Sequence, residues 1–425
     1  MFTIAFLRIK WHDMVNTHRN TKSRLKTEVQ MEIRSYKFDR TEFAGSLGDL
    51  GTLIPLSVAL ILINGLSATS VLLMIGLFYI FSGFYFRLPI PVQPLKLVSA
   101  IAIAFPEKVT LPILAAAGMT FGACLLMLSL TGLIDWLARF FRKPIMRGIQ
   151  LGLGLILFNK GMALILKPEL FINGADSAIY IAGVPLNPVI GIAGGMLTLV
   201  LLASKRFPAA LVLVSAGLMF GILAGALNNA DLTPGPTAVR FYIPTLSDFS
   251  SALILLVIPQ MPLTLGNAVM GTADTCLTLF GEDDRVRRAT YRGFSTSMGL
   301  MNLFTGMIAG MPMCHGSGGL AAHYRFGART GGSNLMIGLL FVILGLGFGQ
   351  IGISFLSAIP NAVLGVLLVF AGLELLMLIR DIKEKNDLFV AGLIAGIGFA
   401  THNMGIAFFT GIIVMNLMKW QDIKI

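Results

Sequence analysis

Charged side chains are scarce in this sequence, and their scarcity indicates the class of protein. Asp, Glu, Lys and Arg make up 12% of the 425 residues, hydrophobic residues make up 56%, and the mean hydropathy is +0.82. A soluble domain carries about 25% charged residues. Long apolar segments recur from Phe43 onward, most of them near the roughly 20 residues that a membrane-spanning helix needs. The composition predicts a polytopic membrane protein.

Cysteines and the motifs of enzyme active sites are also rare or missing. Cys124, Cys276 and Cys314 lie in or beside apolar segments without metal-ligand spacing, so no disulfide framework is expected. The sequence has no nucleophile elbow, no phosphate-binding Gly-x4-Gly-Lys-Ser/Thr loop and no Cys/His dyad. His315 and His323 lack the further ligands that a metal site needs. We therefore predict no enzyme, no cofactor and no metal.

The apolar segments give about fourteen predicted spans, an even number that puts both termini on one side of the membrane. Span 248–280 is too long for one straight crossing, so part of it is expected to continue into the cytoplasm. The third and tenth spans are predicted half-helices, each preceded by an extended stretch. The approximate bounds are 43–64, 67–86, 88–105, 112–132, 145–166, 185–204, 208–227, 248–280, 292–310, 311–324, 333–350, 353–379, 387–400 and 402–420.

Basic residues give this arrangement an orientation. Most of the 32 Lys and Arg fall in the N-terminal tail and in loops on the same side, whereas Lys108, Lys167 and Arg240 fall on the other side. Lys96 and Lys160 lie within spans. Because cytoplasmic loops carry excess Lys and Arg, we predict a multi-pass protein of the plasma or inner membrane with cytoplasmic N- and C-termini. The net charge of +11 then reports topology, not nucleic-acid binding.

The predicted topology divides an all-α chain into two halves of seven spans each. Because seven is odd, the second half runs in the opposite direction, which makes a seven-plus-seven inverted-topology repeat. The predicted regions are a basic cytoplasmic tail over 1–42, the first repeat over 43–227, an extracytoplasmic linker over 228–247, the second repeat over 248–420 and a short cytoplasmic tail over 421–425.

Two Pro- and Gly-rich interruptions lie in corresponding places of the halves. They are Pro89-Ile-Pro-Val-Gln-Pro-Leu-Lys96 and Met311-Pro-Met-Cys-His-Gly-Ser-Gly-Gly319. Proline disfavours helix at the preceding residue, so helices are expected to begin near Leu95 and Ser317. Each half-helix would start near the membrane midplane with unpaired N–H groups and a positive dipole end. Two such ends facing each other make an anion site; the alternative is a pair of ordinary proline kinks.

Polar residues around the interruptions are candidate anion ligands. Lys96 lies in the first turn of a half-helix, where a purely structural cation would oppose the dipole. Its alternatives are snorkelling or pairing with Asp49. Gln93 and His315 can donate hydrogen bonds to oxyanion oxygens. Further candidates are the helix start at Gly316, Ser317 and Gly318, then Gln260, Thr264 and Asn267 of the eighth span, and Thr52 of the first.

Asp49 and His315 are the candidate carriers of a coupling proton. His315 is the side-chain type whose charge changes near neutral pH, with a satisfied buried histidine as the alternative. Asp49 can pair with Lys96, carry a proton or cap a helix. Moving each net negative charge inward costs about 2.3 kcal/mol per 100 mV, so proton symport is a reasonable hypothesis. No role is predicted for Lys160, Glu374, Asp274 and His402.

Three motifs together resemble one known family. Gly48-Asp-Leu-Gly-Thr52, Pro91-Val-Gln-Pro-Leu-Lys96 and the longer, more specific Met311-Pro-Met-Cys-His-Gly-Ser-Gly-Gly-Leu-Ala-Ala-His-Tyr-Arg-Phe-Gly327 resemble the molybdate transporter family related to the sulfate permeases. The resemblance runs from about Phe43 to Trp420, and Leu95 stands where many relatives have Met. It implies a seven-plus-seven fold with substrate between the third and tenth segments. It also implies secondary active import of a tetrahedral oxyanion by alternating access, and molybdate is the substrate expected first.

Sulfate, also a tetrahedral dianion, is the alternative substrate. An uncoupled anion channel of the same architecture is a further alternative. So is a nucleobase permease, although the acidic residue that it would need, Asp274, lies far past Pro262. The predicted partners are the oxyanion, protons and the lipid bilayer, and the sequence leaves monomer and homodimer open.

Overall fold

The protein is described by a computed structural model over residues 36–137, 143–172, 178–202, 209–228, 230–281 and 283–420. The predicted tail 421–425 and residues 1–35 of the predicted tail 1–42 lie outside these residues. The predicted linker 228–247 lies inside them except for position 229, and from 230 to 245 it contains neither helix nor strand. The rest of the described chain is mostly helical.

Mostly apolar helices make up most of the described residues. They are α1 (Arg40–Ser46), α2 (Leu50–Asn64), α3 (Ala68–Phe86), α4 (Lys96–Ala104), α5 (Leu111–Thr131), α6 (Leu133–Leu137), α7 (Lys143–Leu166), α8 (Leu186–Leu202), α9 (Ala209–Leu223), α10 (Leu246–Phe280), α11 (Tyr291–Met307), α12 (Ser317–Arg325), α13 (Gly331–Ser357), α14 (Asn361–Leu376), α15 (Lys385–Thr401) and α16 (Met404–Trp420). The strands of the described residues are β1 (Gln93–Pro94), β2 (Tyr180–Ile181), β3 (Val184–Pro185) and β4 (Met313–Cys314).

Helix length and apolarity confirm a multi-pass membrane protein. In the described part of the chain, 6 helices are long and apolar enough to cross a bilayer, and α1 with α2 makes a seventh if the bent pair is one span. α8, α9 and α16 are apolar but shorter, with 10–17 residues. The multi-pass class is therefore firm, while the count of fourteen spans stays a prediction.

Two predicted spans have wrong bounds and a third is bent. The predicted break between 350 and 353 is absent, because α13 continues to Ser357 and leaves helical geometry only at Phe348 (φ −132°, ψ 18°). The chain breaks instead at Pro360, just before α14, as expected from the restriction that proline places on its preceding residue. The first span is split into α1 and α2, bent by 48°.

Helix α10 is continuous although it contains Pro259 and Pro262. Two π-helical segments, Leu253–Val257 and Thr264–Gly271, flank the prolines. Proline cannot donate to the preceding turn, and local π geometry lets the neighbouring backbone groups find partners again. At about 1.5 Å per residue, the 35 residues of α10 exceed the roughly 30 Å hydrocarbon thickness, as the sequence predicted.

The helices pack into two groups. In the first, which we call the core bundle, α3 packs on α13 and α5 on α11, with α2, α4 and α12 beside them. In the second, the flanking bundle, α7 packs on α14 and α15, α8 on α14, and α15 on α16. Glycines set the close contacts: a Cβ at Gly154 of α7 would lie 2.7 Å from the Gly372 carbonyl oxygen of α14. Such small-residue contacts are typical of membrane helices.

Candidate functional site

The two Pro- and Gly-rich interruptions cross each other inside the core bundle. β1 pairs with β4 in antiparallel direction, with Gln93 opposite Cys314. Beyond the strands, the Leu95 N–H donates to the Pro312 carbonyl at 2.9 Å. The helices α4 and α12 then follow with 9 residues each. An extended stretch followed by a short helix, as the sequence predicted, is confirmed at both places.

Buried asparagines hold this crossing in place. Asn302 Nδ2 donates to the Met313 carbonyl at 2.7 Å, and its Oδ1 accepts the Met313 N–H at 2.9 Å. Asn334 Nδ2 donates to the Ile90 carbonyl at 2.7 Å. Non-helical backbone at membrane depth is tolerated only when such partners satisfy it. Sequence reasoning missed both asparagines, whose only signal is that they are polar residues inside apolar spans.

His315 belongs to the same scaffold and does not face an open space. It is fully buried, with Nδ1 2.9 Å from the Pro91 carbonyl oxygen and Nε2 2.7 Å from Ser297 Oγ. Because a carbonyl only accepts, Nδ1 carries a proton, and in the neutral imidazole the Ser297 hydroxyl donates to Nε2. His323 Nδ1 similarly lies 3.0 Å from the Pro89 carbonyl oxygen. Around the His315 ring stand Phe78, Phe86 and Phe294.

The sequence predicted unpaired N–H groups in the first turn of α4. In the structure, a side chain from a distant part of the chain caps this turn. Gln260 Oε1 accepts the N–H groups of Leu97 at 3.0 Å and Val98 at 3.4 Å. Gln260 Nε2 donates to Thr264 Oγ1 at 3.0 Å. Gln260 therefore satisfies two of the N–H groups at the start of α4, and Thr264 accepts a hydrogen bond from the Gln260 amide.

The first turn of α12 is less occupied. No side chain of the described residues caps it, and Gly318 is exposed. Ser317 Oγ donates to Asn267 Oδ1 at 2.9 Å, which ties α12 to α10. The N–H groups of this turn and the positive end of the helix dipole remain available to an anion.

A cavity of about 320 Å³ opens at this turn, between the two bundles. This volume far exceeds the roughly 10–15 Å³ that one water needs on the same measure. Its polar lining combines side chains from α2, β1, α4 and α14 with the start of α12. These polar and glycine residues are Gly48, Asp49, Gly51, Thr52, Gln93, Lys96, Gly318, Gly319 and Glu374.

Six of the predicted site positions do not line this cavity, and one of them, Ser317, is half-buried and bound to Asn267 instead. Gln260, Thr264 and Asn267 line a separate void of about 10 Å³ on another side of Lys96, which has room for about one water and no oxyanion. His315 and Gly316 are buried behind the crossing. The structure therefore brings Thr52, Gln93, Lys96 and Gly318 together, with Asp49, in the larger cavity.

Asp49 and Gln93 form a buried pair at the cavity wall. Gln93 Nε2 donates to Asp49 Oδ1 at 2.9 Å, and the residues are 2% and 4% exposed, respectively. Within the described residues, Asp49 Oδ2 and Gln93 Oε1 have no hydrogen-bond partner. Asp49 stands at the N-cap position of α2 but makes no cap hydrogen bond, so it does not act as a helix cap. A Cβ at Gly319 would lie 2.6 Å from Asp49 Oδ2.

Lys96 and Glu374 supply the other charges of the cavity. Lys96 is half-buried in the core bundle, and Glu374 of the flanking bundle reaches the same space from α14. Neither forms an ion pair in the part of the chain that the structure describes. Glu374 is recognisable in the sequence as an ionisable residue inside a span, but its place at the site depends on how α14 packs and cannot be read from the sequence.

A second cavity of about 200 Å³ adjoins the first. Gly48, Gly51, Ala371 and Glu374 line both. Its other walls come from Pro55 of α2, from α8, α9 and α14, and from Phe326. Together the two spaces form a passage between the bundles that leads to Lys96. Among the described residues, neither lining includes Lys160, Asp274 or His402.

Comparison with known proteins places the chain in a family. A family model described as a molybdate transporter of the MFS superfamily matches residues 41–157 and 252–375, which is more than half of the sequence. The chain belongs to this molybdate transporter family. The first matched range contains Asp49 and Lys96 and the second contains Gly318 and Glu374, so both sides of the cavity lie within the family match.

Curated relatives span nearly the whole chain. Molybdate transporter 2 of Arabidopsis thaliana is 32% identical over 90% of this chain and 88% of its own length. Molybdate transporter 1 of Chlamydomonas reinhardtii is 28% identical over 94% of each. Both are named as transporters, and this family member is a transporter rather than an enzyme.

Solved structures share the fold at low sequence identity. The transmembrane domain of a cyanobacterium bicarbonate transporter, BicA, matches with a TM-score of 0.62, 15% identity and coverage of 87% of this chain and 97% of that one. The murine Solute Carrier 26 family member A9 anion transporter, in the inward-facing state, matches with a TM-score of 0.63, 17% identity and coverage of 93% and 71%. The molybdate transporter family member therefore has the fold of these anion carriers.

Proposed function

We propose that this protein imports molybdate as a secondary active transporter and binds it in the cavity beside Lys96. The observation that carries the proposal is the combination of the Lys96 ammonium with the open first turn of α12 at one cavity. A cation and a positive helix end together suit a dianion. Thr52 and Gln93 line the same space and can donate hydrogen bonds to oxyanion oxygens.

Alternating access would move the core bundle against the flanking bundle. The passage between the bundles is lined from both sides, so their relative movement would open or close it. The pairing of α3 with α13 and of α5 with α11 joins the two halves of the chain and supports an inverted repeat. Further proposals, taken from the sequence, are cytoplasmic termini, a plasma or inner membrane and homodimer assembly.

Proton coupling is better assigned to Asp49 than to His315. Both ring nitrogens of His315 have hydrogen-bond partners, Ser297 and the Pro91 carbonyl. Asp49 Oδ2 is buried without a partner in the described structure, and protonation would remove the negative charge of this carboxylate, which is costly to bury without further partners. Asp49 also lies beside the proposed oxyanion, where its neutral form avoids repulsion between like charges.

The family membership favours molybdate over sulfate. Both ions are tetrahedral dianions, and a cavity of about 320 Å³ admits either. The curated relatives are named for molybdate, and this is the reason for proposing molybdate as the substrate instead of sulfate.

Oxyanion binding by the purified protein tests the proposed site. Lys96→Ala removes a charge-assisted interaction of about 1.5–3 kcal/mol, so molybdate affinity is expected to fall about 10- to 100-fold. Lys108→Ala is the matched control, because Lys108 lies in the loop after α4, beside the Phe105 ring. Titration calorimetry with molybdate, and competition by tungstate and sulfate, gives the affinities. Equal molybdate affinities for Lys96→Ala and wild type would refute this site.

A further inference from the structure

The passage between the bundles ends at Lys96. Its other end lies where α8 ends and α9 begins, and the sequence between these helices carries Lys205 and Arg206, which predict the cytoplasmic side. In the described residues, no residue of α4 after Lys96 lines either cavity or the small void beside it. Residues 97–103 are buried. The binding cavity is thus open toward one side of the membrane and closed toward the other.

The far end of α4 is fixed to the core bundle. The helix has 9 residues, so about 14 Å of helix separates Lys96 from Phe105, the residue that follows it. Asn64, the last residue of α2, donates from Nδ2 to the Ala102 carbonyl at 2.8 Å. The Phe105 carbonyl accepts the N–H of the buried Val109 at 3.0 Å. Phe105 therefore moves together with the core bundle.

His402 stands opposite Phe105 on the flanking bundle. It lies in the turn between α15 and α16. Asn403 Oδ1 accepts two N–H groups from the first turn of α16, at 3.0 and 3.1 Å. Met404 packs against α7, where a Cβ at Gly152 would lie 3.1 Å from the methionine methyl group. His402 therefore moves together with the flanking bundle.

The Phe105 and His402 rings meet at the closed end. Their centroids are 4.6 Å apart and their planes are inclined by 67°. In the described residues, this is the ring contact between the core bundle and the flanking bundle. Nearby, α16 also approaches α10, because a Cβ at Gly405 would lie 2.7 Å from the Ile254 carbonyl oxygen. The bundles are therefore packed together on the side of α4 that the passage does not reach.

We propose that Phe105 and His402 form the outer gate of the transporter, which is closed while the passage to Lys96 is open on the inner side. This inference rests on the proposed function, because alternating access opens one side of a site at a time. Each ring is fixed to its own bundle, so a movement of one bundle against the other separates the rings. Outer access to Lys96 opens in that second arrangement.

A reversible cross-link between the two positions tests the gate. Phe105→Cys and His402→Cys are combined in a protein whose free cysteines, Cys124, Cys276 and Cys314, are replaced by alanine, and a short bis-methanethiosulfonate reagent links the pair. In proteoliposomes, we expect linking to lower molybdate uptake and exchange at least about tenfold, and a reductant to restore both. Molybdate binding in detergent should stay within about twofold of the unlinked protein, because the inner passage remains open.

Two controls separate the gate from other effects of the reagent. Each single-cysteine variant is modified but cannot be linked. Phe81→Cys with Tyr85→Cys places the link within one helix, α3, where the two rings are 5.8 Å apart. A link inside one rigid helix favours neither arrangement of the bundles, so uptake should stay within about twofold of the unlinked protein.

Two results would overturn the inference. Unchanged uptake by the linked Phe105–His402 pair would show that the rings do not have to separate during transport. Loss of molybdate binding on linking would show that the linked arrangement is not the one with an open inner passage. Failure of the proposed function is a different result, in which wild-type protein shows neither uptake nor exchange.

Discussion

Single residues give the cavity its chemistry, and glycines give it its shape. Gly319 lies under the Asp49–Gln93 pair, where a Cβ would be 2.6 Å from both Asp49 Oδ2 and Gln93 Nε2. Gly316 lies against the Gln93 amide in the same way. The specific Met311–Gly327 motif thus has a physical reason: α12 can approach β1 and α2 only without side chains at these positions.

Gly319→Ala is therefore expected to displace the Asp49–Gln93 pair and to weaken molybdate binding at least about tenfold. Gly396→Ala on α15 is the control, because a Cβ there would meet open space and alanine favours a helix over glycine by about 0.5–1 kcal/mol. Titration calorimetry on both variants makes the comparison. Wild-type affinity in Gly319→Ala would mean that the pair is not part of the binding site.

The half-helices α4 and α12 differ at their N-terminal ends. Gln260 caps the first turn of α4, whereas no side chain of the described residues caps the first turn of α12. The prolines at 89, 91 and 94 act on neighbouring backbone, so the sequence alone predicted an extended stretch before α4. The cap on α4 was not predictable in this way. It comes from Gln260, 163 residues from Leu97, and depends on how α10 packs against α4. Sequence reasoning therefore found the break but assigned Gln260 to the substrate.

Gln260→Leu tests the cap. It leaves the Leu97 N–H without a partner inside the protein, which costs about 1–3 kcal/mol, so the apparent melting temperature in detergent should fall. Gln350→Leu is the control, since Gln350 Nε2 only makes an exposed 3.2 Å contact with Asp231 and surface changes stay within about 0.5 kcal/mol. Equal melting temperatures for the two variants would contradict the capping role.

At the scale of the whole molecule, composition and motifs predicted the class and the family, whereas packing determined the site. Apolar length predicts spans, and family motifs lie in contiguous sequence, so both can be read without coordinates. Whether the side chain of His315 or of Glu374 faces a cavity depends on how its segment is rotated and on contacts with residues far away in the sequence. The sequence therefore offered His315 as a candidate ligand, which the structure places away from the cavity, and it left the role of Glu374 open.

Uptake of molybdate by proteoliposomes that contain the purified protein is the direct test of proton-coupled molybdate import. With a more acidic solution outside, we expect accumulation of molybdate above its external concentration, competition by excess tungstate, and loss of accumulation when a protonophore collapses the pH gradient. Uptake that only reaches equilibrium would indicate an uncoupled channel. Uptake no greater than in protein-free vesicles would contradict molybdate transport by this protein.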